Sequence, residues 1–299
     1  MTSRKLAKRE FDILAAIAQS EKRLSQRGLA KATGVSLGTV NKTIADLTER
    51  GLIKDRMITV AGIDALEPYR VKRAVLLAAG FGSRLVPITL NTPKPLIRVH
   101  DKRIIETLLD AIVAAGIEEI YVVRGYLAEQ FDILLKRYPQ IRFLENFAYN
   151  ETNNISSMEC ARFLLANAYV LESDFFLSNP KLITKYQYQS NYLGIPVDIT
   201  DDWCFVTKGD VIEEVNIGGT SCYEMVGISY WTEEDGNRLA KHIDDVYRAP
   251  GGKERYWDLV PLTYHKDSYE VHIRPCSAED IVEIDTFNEL KAIDKTYAM

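Results

Sequence analysis

Residues 74–78, Ala-Val-Leu-Leu-Ala, form a short unbroken apolar run that opens into small residues, Ala79-Gly80-Phe81-Gly82-Ser83. An apolar run without alternation suits a strand covered on both faces, as in a parallel sheet flanked by helices. The small residues let the backbone approach a ligand, and successive N–H groups can cradle phosphate oxygens. The Gly-Lys-Ser/Thr ending of a P-loop is absent, and Leu85 stands where a dinucleotide loop would have its third glycine. Downstream, an amphipathic helix over 104–115, a strand over 119–123, a helix over 128–138 and a strand over 141–144 alternate. That alternation predicts an α/β fold with a Rossmann-like, mostly parallel central sheet, with ligands at the carboxyl ends of the strands.

The first 70 residues have a different chemistry. They carry 13 Lys/Arg against 8 Asp/Glu, a net +5, whereas residues 71–299 carry 24 against 34, a net -10. The overall -5 therefore averages two unlike parts, and the expected division is 1–70 and 71–299. Helical spacing runs over 6–19, from Leu6 through Phe11, Leu14 and Ile17. A turn at Gly34 leads to Ser36, a helix cap, and to a helix over about 36–50 with Val40, Ile44 and Leu47 on one face. Leu52-Ile53-Lys54 and Met57–Val60 read as a hairpin across Asp55-Arg56, and 61–73 reads as a linker. This order resembles the winged helix-turn-helix family over about 1–65. In that family the second helix of the pair enters the major groove, and here it would offer Ser36, Thr39, Asn41, Lys42 and Thr43. DNA binding is one reading of this part; dimerisation, giving a homodimer, or a regulatory appendage is the other.

From Leu76 through Leu85, then Pro87 and Thr92-Pro93-Lys94-Pro95-Leu96, the chain resembles the sugar-phosphate nucleotidyltransferase superfamily. The resemblance implies that Leu77, Ala78, Ala79, Gly80, Phe81, Gly82, Ser83, Tyr126, Asn153 and Ser173 surround a nucleotide. It also implies that Arg84 faces the leaving β- and γ-phosphates and that Lys94 reaches the α-phosphate. Cations placed where charge builds up suit that chemistry. Asp174 ends one apolar strand and Glu283 and Asp285 end another. Residues i and i+2 of a strand share a face, so the three acids can hold a hard divalent cation such as Mg²⁺.

Further motifs over about 73–297 resemble the bacterial phosphocholine cytidylyltransferases. They are 125–132, 149–154, Asp202-Trp203, 227–231, Tyr256-Trp257-Asp258 and Glu283-Ile284-Asp285. The resemblance implies an aromatic cage with a nearby acid for a quaternary ammonium, which donates no hydrogen bond and so favours ring faces. The candidates are Trp203, Tyr230, Tyr256 and Trp257, with Asp258 or Asp202 as the acid. Glu172 stands where the resemblance leads one to expect Asp, and receives no role. The implied reaction is transfer of CMP from CTP to phosphocholine, giving CDP-choline and pyrophosphate. Two alternatives stay open: 2-aminoethylphosphonate as acceptor, whose primary ammonium favours extra carboxylate or carbonyl contacts, and a DNA-binding regulator that senses the nucleotide. A sugar-1-phosphate acceptor is disfavoured by the aromatic motifs.

No apolar run is long enough to cross a membrane, and Met1-Thr2-Ser3-Arg4-Lys5 leads into no signal-peptide core. The four cysteines, Cys160, Cys204, Cys222 and Cys276, lack metal-ligand spacing. A cytoplasmic protein with reduced cysteines and no membrane partner is the expectation.

Overall fold

In the computed structural model, which describes residues 4–20 and 22–298, the chain divides into two units. One comprises Met1–Arg70 and Lys185–Tyr188, the other Val71–Thr184 and Gln189–Met299. Residues 185–188, expected in the larger part, return to the smaller one. The reason is apolar: the Tyr188 ring stacks on Tyr69 at 5.4 Å and its hydroxyl donates to the Leu6 carbonyl, while Tyr186 joins the same core.

The smaller unit holds α1 (Lys8–Ala18), α2 (Gln26–Thr33) and α3 (Leu37–Glu49). Ser25 and Ser36 cap α2 and α3 by accepting from the Gly28 and Thr39 amides, and Gly34 ends α2 at φ +68°. The wing is β1 (Ile53–Lys54) paired antiparallel with β2 (Met57–Ile58). Asp55 and Arg56 both take positive φ between them, the geometry a two-residue hairpin needs. Where a linker was expected, α4 (Val60–Leu66) forms, capped by Thr59. A Cβ on Gly62 would lie 2.3 Å from the Leu52 carbonyl oxygen, so only glycine lets this helix seat against the wing.

The larger unit is built around β3 (Arg73–Ala78). Its register explains the unbroken apolar run. Ala74, Leu76 and Ala78 point into one core cluster, Val75 and Leu77 into the other. A hairpin, β4 (Arg98–Val99) with β5 (Lys102–Arg103), leads into α5 (Ile104–Ala114), whose Ile105, Leu108 and Ile112 cover the first face. Then come β6 (Glu119–Arg124), β7 (Ile141–Glu145), α6 (Ile155–Ala161), β8 (Ala168–Glu172) and β9 (Phe175–Leu177). The segment expected as a helix over 128–138 is a 3-10 helix, Ala128–Lys136. Two long strands follow, β10 (Asn191–Lys208) and β11 (Val211–Trp231), then α7 (Glu233–Arg248), β12 (His272–Pro275), β13 (Ile281–Glu283) and α8 (Phe287–Ile293). The second face is covered by α6 and α7.

The seven-stranded sheet runs β10-β12-β11-β8-β3-β6-β7. Strands β8, β3, β6 and β7 are mutually parallel, and β11 adds antiparallel to β8. The expected α/β architecture with a mostly parallel centre is therefore the one observed, with an antiparallel extension. Outside this sheet, β13 pairs antiparallel with β9, setting Glu283 opposite Phe175. That pairing carries the second acidic strand to the carboxyl end of β8.

Candidate active site

The loop after β3 is closed by its neighbours. Gly82 sits at φ +67°, and a Cβ there would lie 3.0 Å from Lys94 Cβ and 3.2 Å from Thr89 Cγ2, so glycine permits both the turn and the close approach. The Thr89 hydroxyl donates to the Gly82 carbonyl at 3.0 Å. The Tyr126 amide donates to the Ala79 carbonyl at 3.1 Å, and its hydroxyl to the Thr89 carbonyl at 2.8 Å. Phe81 and Tyr126 stand with ring centroids 4.5 Å apart beside the loop. Leu77, Ala78 and Ala79 are buried, whereas Gly80, Phe81 and Ser83 are exposed at its mouth. The Ser173 amide donates to the Leu77 carbonyl, and its buried hydroxyl has no hydrogen-bond partner among the described residues.

Lys94 lies between two acids. Its Nζ donates to Asp174 Oδ2 at 2.9 Å and to Asp285 Oδ1 at 2.5 Å. The Arg84 guanidinium pairs with Asp285 Oδ2 at 2.7 Å, while its side chain is 69% exposed. Burial alone would lower the Lys94 pKa, but Asp174 and Asp285 outweigh it and hold the ammonium above its ordinary value. Asp174, Glu283 and Asp285 each offer a carboxylate oxygen, all within 4.8 Å of one another. Burial, with Asp174 and Asp285 alongside, pushes the Glu283 carboxyl up to about 9. Asp174 Oδ1 is buried without a partner. Three converging carboxylates short of positive charge, one with an orphaned oxygen, fit a hard divalent cation. Lys94 already marks a cation position between two of them.

A second acidic group adjoins the first. Glu172 Oε1 accepts from Asn154 Nδ2 at 3.2 Å and lies 3.4 Å from Trp257 Nε1. Asn154 Oδ1 in turn accepts from the Trp257 amide at 3.0 Å. Protein surrounds the Glu172 carboxyl, although the residue as a whole is only partly buried. Burial first, then Asp174 and Asp258, hold its pKa well above the carboxylate range. Asp258 accepts from the buried Tyr192 hydroxyl at 2.9 Å, and burial raises it to about 7. Glu172 received no role from sequence. Its signal was present: an acid at the end of an apolar strand, two residues before Asp174 and so on the same side of the chain.

The other expected acceptor residues separate. Trp203 and Tyr256 meet edge to face at 5.6 Å, with Tyr256 exposed. Trp257 is 2% exposed and stacks in the core on Tyr192; it offers an N–H edge to Glu172 rather than a ring face to a ligand. Tyr230, expected in the cage, faces Tyr169 at the opposite end of β8, buried, with its hydroxyl on Asn167. Asp202 is exposed and accepts from the Trp203 amide next to it, so Asp258 is the acid that meets the cluster. Asn153, expected near the nucleotide, donates to the Glu254 carbonyl and accepts from the Asn154 amide, which braces two loops.

A glycine loop, the cations Arg84 and Lys94 and an acidic triad gather at the carboxyl end of a parallel sheet, the arrangement expected of a nucleotidyltransferase. Residues 73–189 match the nucleotidyl transferase family and 5–56 the MarR family. The chain is 39% identical to a 2-aminoethylphosphonate cytidylyltransferase from Lancefieldella rimae, over 75% of this chain and 92% of that one. It is 30% identical to a choline-phosphate cytidylyltransferase from Streptococcus pneumoniae, over 75% and 97%. A solved CTP:phosphocholine cytidylyltransferase from Streptococcus pneumoniae superposes with a TM-score of 0.71 at 30% identity, over 76% of this chain and 99% of that one. The chain belongs to the nucleotidyl transferase family, among its cytidylyltransferases, and carries a MarR-type winged helix at its N-terminus.

Replacing a charge that acts on the transferring phosphate costs on the order of 10²–10³ in turnover. Asp174→Asn and Lys94→Gln are expected to lose at least that much pyrophosphate release from CTP, with the fold checked by circular dichroism. Near-normal release from either folded variant would remove that residue from the reaction.

Proposed function

We propose that the chain transfers CMP from CTP to 2-aminoethylphosphonate, forming a cytidylylated phosphonate and pyrophosphate. An acceptor oxygen attacks the α-phosphorus while the bond to the β-phosphate oxygen breaks. That oxygen is already anionic at neutral pH, so no general base is needed and positioning and charge neutralisation supply the catalysis. The loop 79–83 cradles the triphosphate, Arg84 takes the charge that leaves with pyrophosphate, and Lys94 moves its charge from the carboxylates to the α-phosphate. Asp174, Glu283 and Asp285 would hold Mg²⁺, which when bound neutralises phosphate charge and orients the attack. The choice of CTP rests on the relatives' activities.

The juxtaposition of Glu172 and Asp258 carries the choice of acceptor. Neither acid pairs with a lysine or arginine among the described residues. Two enclosed carboxyls without a cation call for one from the ligand. A primary ammonium donates hydrogen bonds that use both acids, and only two carbons separate it from phosphorus, which suits the closeness of Glu172 to Asp174. Phosphocholine, first on sequence, remains the second reading because Trp203 and Tyr256 offer ring surface to a quaternary cation. The same reading places the protein in the cytoplasm, where CTP and four free thiols coexist.

A pyrophosphate-release screen with CTP and Mg²⁺ decides between them. The expected kcat/KM for 2-aminoethylphosphonate exceeds that for phosphocholine by about tenfold or more, a difference of about 1.4 kcal/mol. Glu172→Gln should raise the acceptor KM about tenfold and leave the CTP KM within about twofold. A preference for phosphocholine would return the site to a quaternary cation; equal effects on both KM values would take Glu172 out of acceptor binding.

We also infer DNA binding by the winged helix, supported by its +5 charge and by the exposure of Ser36, Asn41 and Lys42 on and beside α3. The full chain should retard duplex DNA at low salt, and Asn41→Ala with Lys42→Ala should weaken that. No retardation of any duplex at low salt would refute it.

A further inference from the structure

We propose that an open cavity behind the catalytic loop is a second ligand site, taking a small organic phosphate that adjusts the catalytic groups. The cavity measures about 500 Å³, within the range of small-molecule sites. Its wall includes Arg98, Arg103, Ile88, Ile97, Ile133 and Tyr297, and among the described residues no acidic side chain lines it. Arg98 donates to the neutral carbonyl of Asp101 and pairs with no carboxylate among the described residues. Arg103 gives one N–H to Glu106 at 3.2 Å and keeps the rest of its donor fork. Two guanidinium groups with spare donors are a match for a phosphate dianion.

The remaining wall selects the body of the ligand. Ile133 is 46% exposed and Ile88 is half-buried, and the Tyr297 ring is fixed by its hydroxyl donating to the Arg98 carbonyl at 2.8 Å. Aliphatic surface and one ring favour a compact apolar or aromatic group attached to the phosphate.

Position gives the site its consequence. Ile88, Ile97 and Tyr297 pack in one small core with Leu85 and Ile284. Leu85 follows Arg84, and Ile284 lies between Glu283 and Asp285. Lys94 and Leu96 share one 3-10 turn, the first reaching the acids and the second lining the cavity. Close-packed interiors transmit displacement, so an occupant pressing on this wall shifts the groups on its far side. The coupling rests on the catalytic assignment of Arg84 and Asp285; the binding does not.

Phenyl phosphate is a suitable probe, titrated calorimetrically into the full chain with CTP and Mg²⁺ saturating. The expected result is saturable binding that Arg98→Gln and Ile133→Trp each weaken about tenfold. Both variants should keep their CTP KM and kcat within about twofold without the probe, and the probe should change the wild-type CTP KM by more than that. Absent binding, or binding that neither variant weakens, overturns the site. Variant-sensitive binding that leaves CTP kinetics untouched overturns the coupling and leaves the catalytic reading standing.

Discussion

Lys94 sits between Asp174 and Asp285, and that arrangement sets the terms for everything around it. Burial, and then repulsion from Asp174 and Asp285 within the same 4.8 Å cluster, drives the Glu283 carboxyl up to about 9. The fold tolerates the cluster because a cation is delivered to it. The loop after β3 brings the ammonium, Asp174 follows the end of β8 by two residues, and the pairing of β13 with β9 brings the other two acids. Phosphoryl chemistry needs mobile positive charge beside fixed negative charge, and the loop glycine lets the lysine pass close enough to supply it.

The acid pair proposed for the acceptor repeats the logic without its own cation. Glu172 and Asp258 come from a strand end and a distant loop, and Asn154 holds the two segments together. Asp174 also raises Glu172, so the acids proposed for the metal and those proposed for the acceptor share one field. The proposed zwitterionic acceptor, with its anion and cation a few bonds apart, would satisfy both groups at once.

Much of this was legible in the residues. The run 74–78 pointed to a strand covered on both faces, and alternation along it is now seen to feed two cores. Glu283 and Asp285 were readable as acids sharing one face of a strand, and Asp174 as an acid at the end of another. Other features depended on contacts that no local pattern contains. The Trp257 ring reads as a ligand-binding aromatic in its motif, but Tyr192 and Trp231 take its faces into the core. Tyr230 lies at the wrong end of β8 because β11 runs antiparallel to it. The helix α4 was hidden by Gly62, a poor helix former made necessary by the Leu52 carbonyl. Residues 185–188 return to the winged-helix unit through tyrosine packing and through hydrogen bonds of Tyr188 to Leu6 and Gln187 to Tyr69.

We propose that the acidic triad is a cation site completed by nucleotide. Electron paramagnetic resonance of Mn²⁺ titrated into the full chain, with a non-hydrolysable CTP analogue present, tests it most directly. One bound Mn²⁺ per chain is expected, tighter with the analogue than without, and weakened by at least about tenfold in Asp285→Asn. Mn²⁺ binding of equal strength in the wild type and the variant would contradict the account.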